Sequence, residues 1–308
     1  MRLRRALINI IWILVAAILI TLMLTHKEQI NLFVHSTVKE VLQEKVIVPT
    51  ESYNKRDFVF ETVNETDNFE PHNIQDLRNI YYTVLNNGWE NFTFYCPLDY
   101  KDCINDVLSI AKDKSVYLEI NNYYVSPYNN YSLYNTTVST SGEIYLSVDK
   151  LYSNEKIEYL KKYVDETLEA LKINTDNPTK EDLRKIHDFI INNVTYDDDY
   201  DKNDINSDSN NAYGALIIHK AICSGYTDAY AIFLDRLNIK NIKLPSDNHI
   251  WNYLYFDGKW YHVDLTWDDD EKHINNTSNY FMINTDQLFK LDKEKHNFDT
   301  ELFLETKE

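Results

Sequence analysis

The chain has 308 residues, 49 acidic against 31 basic side chains, and a formal net charge of −18. All of the acidic residues and all but three of the basic ones lie beyond residue 25, so the body is more acidic than the whole. Nucleic acid and anionic lipid surfaces are recognised by clustered Lys and Arg, and this balance excludes both as main partners of the body. A cationic surface substrate fits the charge, as does simple colloidal solubility.

The length allows two domains plus attachments. Arg2, Arg4 and Arg5 precede an apolar run from Ala6 to Leu24, interrupted only by Asn9 and Thr21. About 19 such residues can span a bilayer and exceed the core of a signal peptide. No small-x-small cleavage pattern follows, and no cysteine stands there for lipid attachment. The arginines predict that this end stays in the cytoplasm. Residues 1–25 therefore read as an uncleaved signal-anchor transmembrane helix, with an extracellular C-terminal body. Residues 26–50 read as a stalk, a weak helix stopped by Pro49.

Residues 51–175 read as a small extracellular α+β module. The pattern predicts a helix over 73–87 ending at Gly88, a strand over 91–95 and a helix over 99–112. Strand-like segments follow at 116–120 and 131–148, the latter turning near Ser141-Gly142. A helix over 153–171 has Ser153 as its N-cap and its lysines on the wet side. Cys96 and Cys103 sit close together in this module. Outside the membrane they pair as a disulfide or remain reduced structural thiols; a metal site would need a second ligand pair, and none is evident. The module carries no legible chemistry, which leaves an interaction or spacer role.

Residues 176–308 form the second unit. Its first helix runs from Thr179, the cap, to Asn193, with Leu183, Ile186, Phe189 and Ile190 on the buried face. His187 falls beside that stripe and reads as a surface residue. The acidic loop from Asp197 to Asn210 invites a calcium reading, with Asp199, Asp201 and Asn203 as alternate ligands. It has Asp204 where the loop needs glycine and Asn210 where it needs a bidentate glutamate, so a solvated loop is the better reading. The sequons at Asn91, Asn130 and Asn193 arise by chance in an Asn-rich chain, and only five glycines occur in all. No nucleotide-binding loop and no cofactor motif is present.

Cys223 stands directly ahead of an amphipathic run, Tyr226, Ala229, Tyr230, Phe233, Leu234 and Leu237, which Asn238 is suited to end. A thiol at a helix N-terminus is favoured as thiolate by the macrodipole, and a neighbouring imidazolium adds to this. His249 opens a strand to Phe256, and Lys259 to Trp267 reads as its partner across Asp257-Gly258, a two-residue hairpin turn. With Phe256 opposite Lys259, His249, Trp251, Asp264 and Thr266 share one face, and His249 and Asp264 become diagonal neighbours. A nucleophile, its base and the group that orients the base are thus brought into reach.

The segments Asn211-Ala-Tyr-Gly214, Ala221-Ile-Cys223-Ser-Gly-Tyr226, His249-Ile-Trp-Asn252 and Trp260-Tyr-His-Val-Asp264-Leu-Thr-Trp267-Asp-Asp resemble the bacterial transglutaminase-like superfamily, a papain-like cysteine enzyme fold. The resemblance covers roughly 180–285. It implies an α+β domain in which a Cys-bearing helix packs on an antiparallel sheet, with Cys223 as nucleophile, His249 as general base and Asp264 as orienting acid. Ile250 and Asp270 depart from the usual pattern, which has alanine and proline there; neither touches the triad. The superfamily contains proteases, acyl transferases and members of other kinds.

The expectation is a cell-surface cysteine-dependent acyl-group enzyme acting on a protein or peptide, with cell-wall peptide among the candidates. The other reading is a non-catalytic interaction module on the same scaffold. The oxyanion donors would be the Cys223 backbone N–H and, as a candidate second, Tyr213. Trp251 and Trp260 could wall the acyl site, though core packing explains them equally.

Overall fold

A computed structural model describes residues 2–27, 30, 45–113, 115–139, 142–201, 207–269, 279–301 and 303. Most of the stalk, Ser141 of the expected turn, part of the acidic loop including Asn203 and Asp204, and Asp270 lie outside these residues. Arg2–Thr25 form helix α1. Among the described residues, no helix is long and apolar enough to cross a membrane, so the expected anchor stands on the sequence pattern alone.

The N-terminal unit begins with α2 (Ile74–Asn86), where the Asn73 side chain accepts from the N–H groups of Gln75 and Asp76. Gly88 ends the turn with a φ of +65°. Strand β1 (Asn91–Tyr95) pairs with β3 (Glu143–Lys150), which pairs in turn with β2 (Tyr131–Val138), all antiparallel. Cys96 and Cys103 are joined by a disulfide, their Cα atoms 5.7 Å apart. Cys103 opens helix α3 (Cys103–Asp113), four residues later than the pattern placed its start.

The strand expected at 116–120 is helical instead: α4 (Ser115–Glu119) runs into a π-helical turn, Ile120–Tyr124. The buried residues there, Tyr117, Ile120 and Tyr124, recur at spacings of three and four. That is a helix period in residues whose aromatic and β-branched character suggests strand. Helix α5 (Asn154–Ala170) starts at its Ser153 cap as expected.

In the C-terminal unit, α6 (Lys180–Asn193) opens with a reciprocal capping box between Thr179 and Asp182. The two-residue strands β4 (Thr195–Tyr196) and β5 (Lys220–Ala221) pair in parallel just before α7 (Cys223–Arg236). A four-stranded antiparallel sheet follows, in the order β6 (Asn241–Pro245), β7 (Ile250–Phe256), β8 (Lys259–Val263) and β9 (Phe281–Ile283). The β7–β8 hairpin has the expected register, Phe256 opposite Lys259, and Asp257 and Gly258 both take positive φ. A single-turn helix, α8 (Leu265–Asp268), follows β8, and α9 (Thr285–Asp292) follows β9.

The sheet is buried on both faces. Leu254 and Val263 pack towards α6 and α7 with Ala229, Tyr230 and Phe233. Trp251, Tyr253, Ile242 and Leu244 on the other face share a core with Phe60, Tyr82 and Ile120 of the N-terminal unit. Period-two alternation sends neighbouring residues of β7 to these two cores, which is why that strand reads as almost continuously apolar.

Buried charges stitch the same junction. Arg56 donates to Asp235 (2.8 Å), to the Tyr124 carbonyl (3.1 Å) and to Asn241 Oδ1 (3.1 Å). Lys243 donates to Asp228 at 2.8 Å, and Asn130 donates to the other oxygen of that carboxylate at 3.0 Å.

Candidate active site

Cys223 is the first residue of α7 and is half-buried. The residue before it, Ile222, is extended and supplies no capping side chain. The first-turn N–H groups, which have no partner within a helix, therefore present the positive end of the dipole beside the sulfur. Gly225 allows this placement: a Cβ there would lie 2.7 Å from the Ser209 carbonyl oxygen and 2.8 Å from Ala221 Cβ. The Thr227 hydroxyl lies 2.8 Å from the Cys223 carbonyl and 3.0 Å from that of Ile250, tying the cysteine turn to the residue after His249.

His249 sits one residue ahead of β7. Its Nε2 lies 2.5 Å from Asp264 Oδ2, which leaves Nδ1 as the ring nitrogen free to serve the Cys223 thiol. Burial alone disfavours the charged ring. The Asp264 charge and hydrogen bond, with the Cys223 contacts, outweigh this and push its pKa up to about 10. Trp251 stacks on the imidazole with centroids 5.8 Å apart, and Trp267 meets it edge-on at 6.1 Å.

Asp264 is reached differently from the sequence expectation. The strand ends at Val263, and Asp264 caps a single-turn helix, α8 (Leu265–Asp268), by accepting the Trp267 N–H through Oδ1 at 3.2 Å. The extended stretch to Trp267 and the strand face expected to carry Thr266 are thus replaced by a helical turn. A cap position holds a carboxylate more firmly than an open strand end, because a backbone donor fixes one oxygen while the other turns to the histidine. Burial opposes the Asp264 charge, but His249 and His296 reverse this and hold its pKa well below the usual carboxylate range.

Further residues around the site were not legible in the sequence. His296 is fully buried and places Nε2 2.9 Å from Asp264 Oδ2. His187, expected on the surface, is fully buried between Asp188 (2.8 Å) and Asp268 (3.0 Å). Burial opposes its charge, yet the two carboxylates raise its pKa. Tyr226 donates to Asp269, so the paired aspartates after Trp267 anchor α6 and α7 to the α8 turn.

Tyr196, 41% exposed, lies opposite Ala221 in the β4–β5 pair and stacks on Tyr226 at 6.5 Å. Burial and then the charge of Cys223 raise its pKa, so this phenol lies within the field of the sulfur. The Tyr213 ring lies under Lys156 Nζ, 4.4 Å from the centroid. Trp260 stacks on Tyr253 at 5.0 Å and belongs to the sheet packing.

Among the described residues, His249, Asp264 and His296 bring three ligand atoms within 4.8 Å of one another, close enough for a metal ion to be considered. Their N···O separations, 2.5 and 2.9 Å, are hydrogen-bond lengths. Ligands about 2.0–2.1 Å from a tetrahedral zinc ion would stand farther apart, so protons fit these contacts better.

Residues 165–265 match the family model of the Transglutaminase-like superfamily, and they contain Cys223, His249 and Asp264. The chain thus carries a transglutaminase-like domain within a mixed helix and sheet fold. Among solved structures, the chain is similar to a TGase, with 14% identity and a TM-score of 0.35, covering 61% of this chain and 55% of that one. It is also similar to a candidate cysteine protease from Cytophaga hutchinsonii, with 16% identity and a TM-score of 0.28, covering 44% of this chain and 61% of that one. The chain therefore spans little more than half the length of these two structures. No curated protein matches.

Proposed function

We propose that the protein is a cysteine-dependent acyl-group enzyme that cleaves or transfers at an amide or peptide bond. The observation that carries this is Cys223 at the start of a helix, beside a His249 imidazole that is hydrogen-bonded to Asp264 and feels the charge of the sulfur. The Cys223 thiolate attacks the carbonyl carbon and an S–C bond forms. The oxyanion is met by the Cys223 N–H at the helix start, with the Tyr196 phenol as the second donor. His249 gives its proton to the departing nitrogen, the C–N bond breaks, and an acyl-enzyme and free amine result. Water or a second amine then attacks, with the neutral His249 as base, and the thiolate is regenerated.

Hydrolysis is the favoured fate of the acyl-enzyme in this reading. The substrate class is protein or peptide. Purified full-length protein incubated with a glutamine peptide and a labelled amine tests this reading. Peptide or ammonia release that disappears in Cys223→Ala is expected, and label incorporation faster than release would reverse the preference for hydrolysis. A Cys223→Ala chain that restores every phenotype of a deletion strain would favour the interaction-module reading.

The cellular location follows from the sequence pattern at residues 1–25: a membrane-held N-terminus with the body outside, where cell-wall peptide is one candidate substrate. Protease added to intact cells should digest the body and spare an N-terminal tag. The opposite pattern would place the body inside.

A further inference from the structure

His296 is a buried titratable group, hydrogen-bonded to Asp264, that the acyl-transfer scheme leaves unused. It lies 32 positions beyond Asp264 and arrives on the turn after α9. Its ring is enclosed by Trp251 (4.8 Å between centroids), Tyr280 (5.3 Å, stacked), Trp267 (5.6 Å) and His249 (5.5 Å).

Both of its nitrogens meet acceptors. Nδ1 lies 3.0 Å from the Asp292 carbonyl oxygen, which only accepts, so Nδ1 carries a proton. Nε2 lies 2.9 Å from Asp264 Oδ2, an oxygen that already accepts from His249. A neutral His296 with its proton on Nδ1 would turn a lone pair against that carboxylate, where both groups are fully buried. Moving the proton to Nε2 would oppose Nδ1 to the carbonyl instead. Only the doubly protonated ring satisfies both contacts.

We propose that His296 is a positioning residue: as an imidazolium it shares Asp264 Oδ2 with His249 and holds that carboxylate in place for the triad. With the Trp267 N–H on Oδ1, it leaves the carboxylate one orientation. The other groups that bear on the ring are His262, which burial keeps neutral while it accepts from Trp251 Nε1, the Tyr280 phenol and the Asp292 carboxylate. Asp292 Oδ1 is itself engaged by the Lys295 N–H at 3.1 Å.

The second cation has a chemical consequence, which rests on the acyl-enzyme reading above. Asp264 alone in a buried site would make His249 a very strong base that gives up its proton slowly. A positive ring whose centroid lies 5.5 Å away opposes that and eases proton release to the leaving nitrogen.

The test uses full-length protein labelled with 15N-histidine and long-range 1H–15N spectra of the imidazole rings. The His296 signal is assigned by its contacts to the Trp251 and Tyr280 rings and by its loss in His296→Gln. At pH 7 both of its nitrogens should be protonated; one unprotonated nitrogen on His296 would overturn the proposal. In His296→Gln the glutamine amide can still donate to Asp264 but carries no charge. The His249 titration midpoint should then move upward by roughly one to two pH units. A midpoint that stays in place in the folded variant would also overturn it. Neither readout depends on turnover, so failure of the acyl-enzyme reading in the peptide assay is seen separately.

Discussion

The buried pair Lys243–Asp228 offers a direct test of how the N-terminal unit supports the cysteine helix. Asp228 is five residues beyond Cys223 on α7, and Lys243 stands on β6, which packs against the Ile120–Tyr124 turn. Both side chains are under 5% exposed, at 3% and 4%. Burial is the first cause acting on each, raising the pKa of Asp228 and lowering that of Lys243, so each ion depends on the other to stay charged. Lys243→Met leaves Asp228 with Asn130 as its remaining side-chain partner.

Breaking a buried pair in this way costs roughly 3–5 kcal/mol, whereas replacing both partners by apolar residues of similar size is close to neutral. At about 2–3 °C per kcal/mol for a chain of this size, Lys243→Met should lower Tm by roughly 6–15 °C. The double variant Lys243→Met/Asp228→Leu should recover at least half of that loss. Thermal unfolding of the full-length proteins by calorimetry gives both numbers. A single-variant loss under about 1 kcal/mol would refute the account, as would a double variant worse than the sum of the two singles.

The other expectations concern the site and its supports. Tyr196→Phe should lower kcat on a peptide substrate roughly tenfold to a hundredfold with KM little changed, and an unchanged kcat would remove Tyr196 from the oxyanion site. Asp264→Asn should slow iodoacetamide alkylation of Cys223 near pH 6 much more than near pH 10, because the carboxylate supports the His249 imidazolium; equal slowing at both would point to general damage. Stability should peak near pH 6.5. His249, raised from 6.5 to about 10, contributes fully below 6.5 and loses its contribution as pH rises towards 10. His262, lowered well below 6.5 by burial, makes the unfolded state bind a proton that the native state does not, so stability also falls as pH drops below 6.5. Urea midpoints across that range check both limbs, and His262→Gln should flatten the acid one. Finally, thiol titration of the denatured protein should give one reactive cysteine before reduction and three after, and opening the short Cys96–Cys103 loop should cost about 2–3 kcal/mol.

Local patterns alone determined a good part of this protein. The Asp257-Gly258 turn set the β7–β8 register, Ser153 and Thr179 set two helix starts, and the apolar spacing after Cys223 placed it at a helix N-terminus. Each of these depends on residues within a few positions of one another, where backbone sterics and capping hydrogen bonds decide the outcome. Tertiary packing decided the rest. Asp264 leaves the strand for a cap because the α8 turn is held by Asp268 on His187 and Asp269 on Tyr226, contacts that span 81 and 43 positions. The segment around Tyr117 becomes helical because its aromatic rings fill a core shared with the sheet, which outweighs their strand preference. His296 lies in a run of charged residues that reads as wet surface, and nothing near it in the chain signals burial. Only the fold brings it under Trp251 and onto Asp264, because contacts between residues so far apart are chosen by the packing of whole elements rather than by local periodicity.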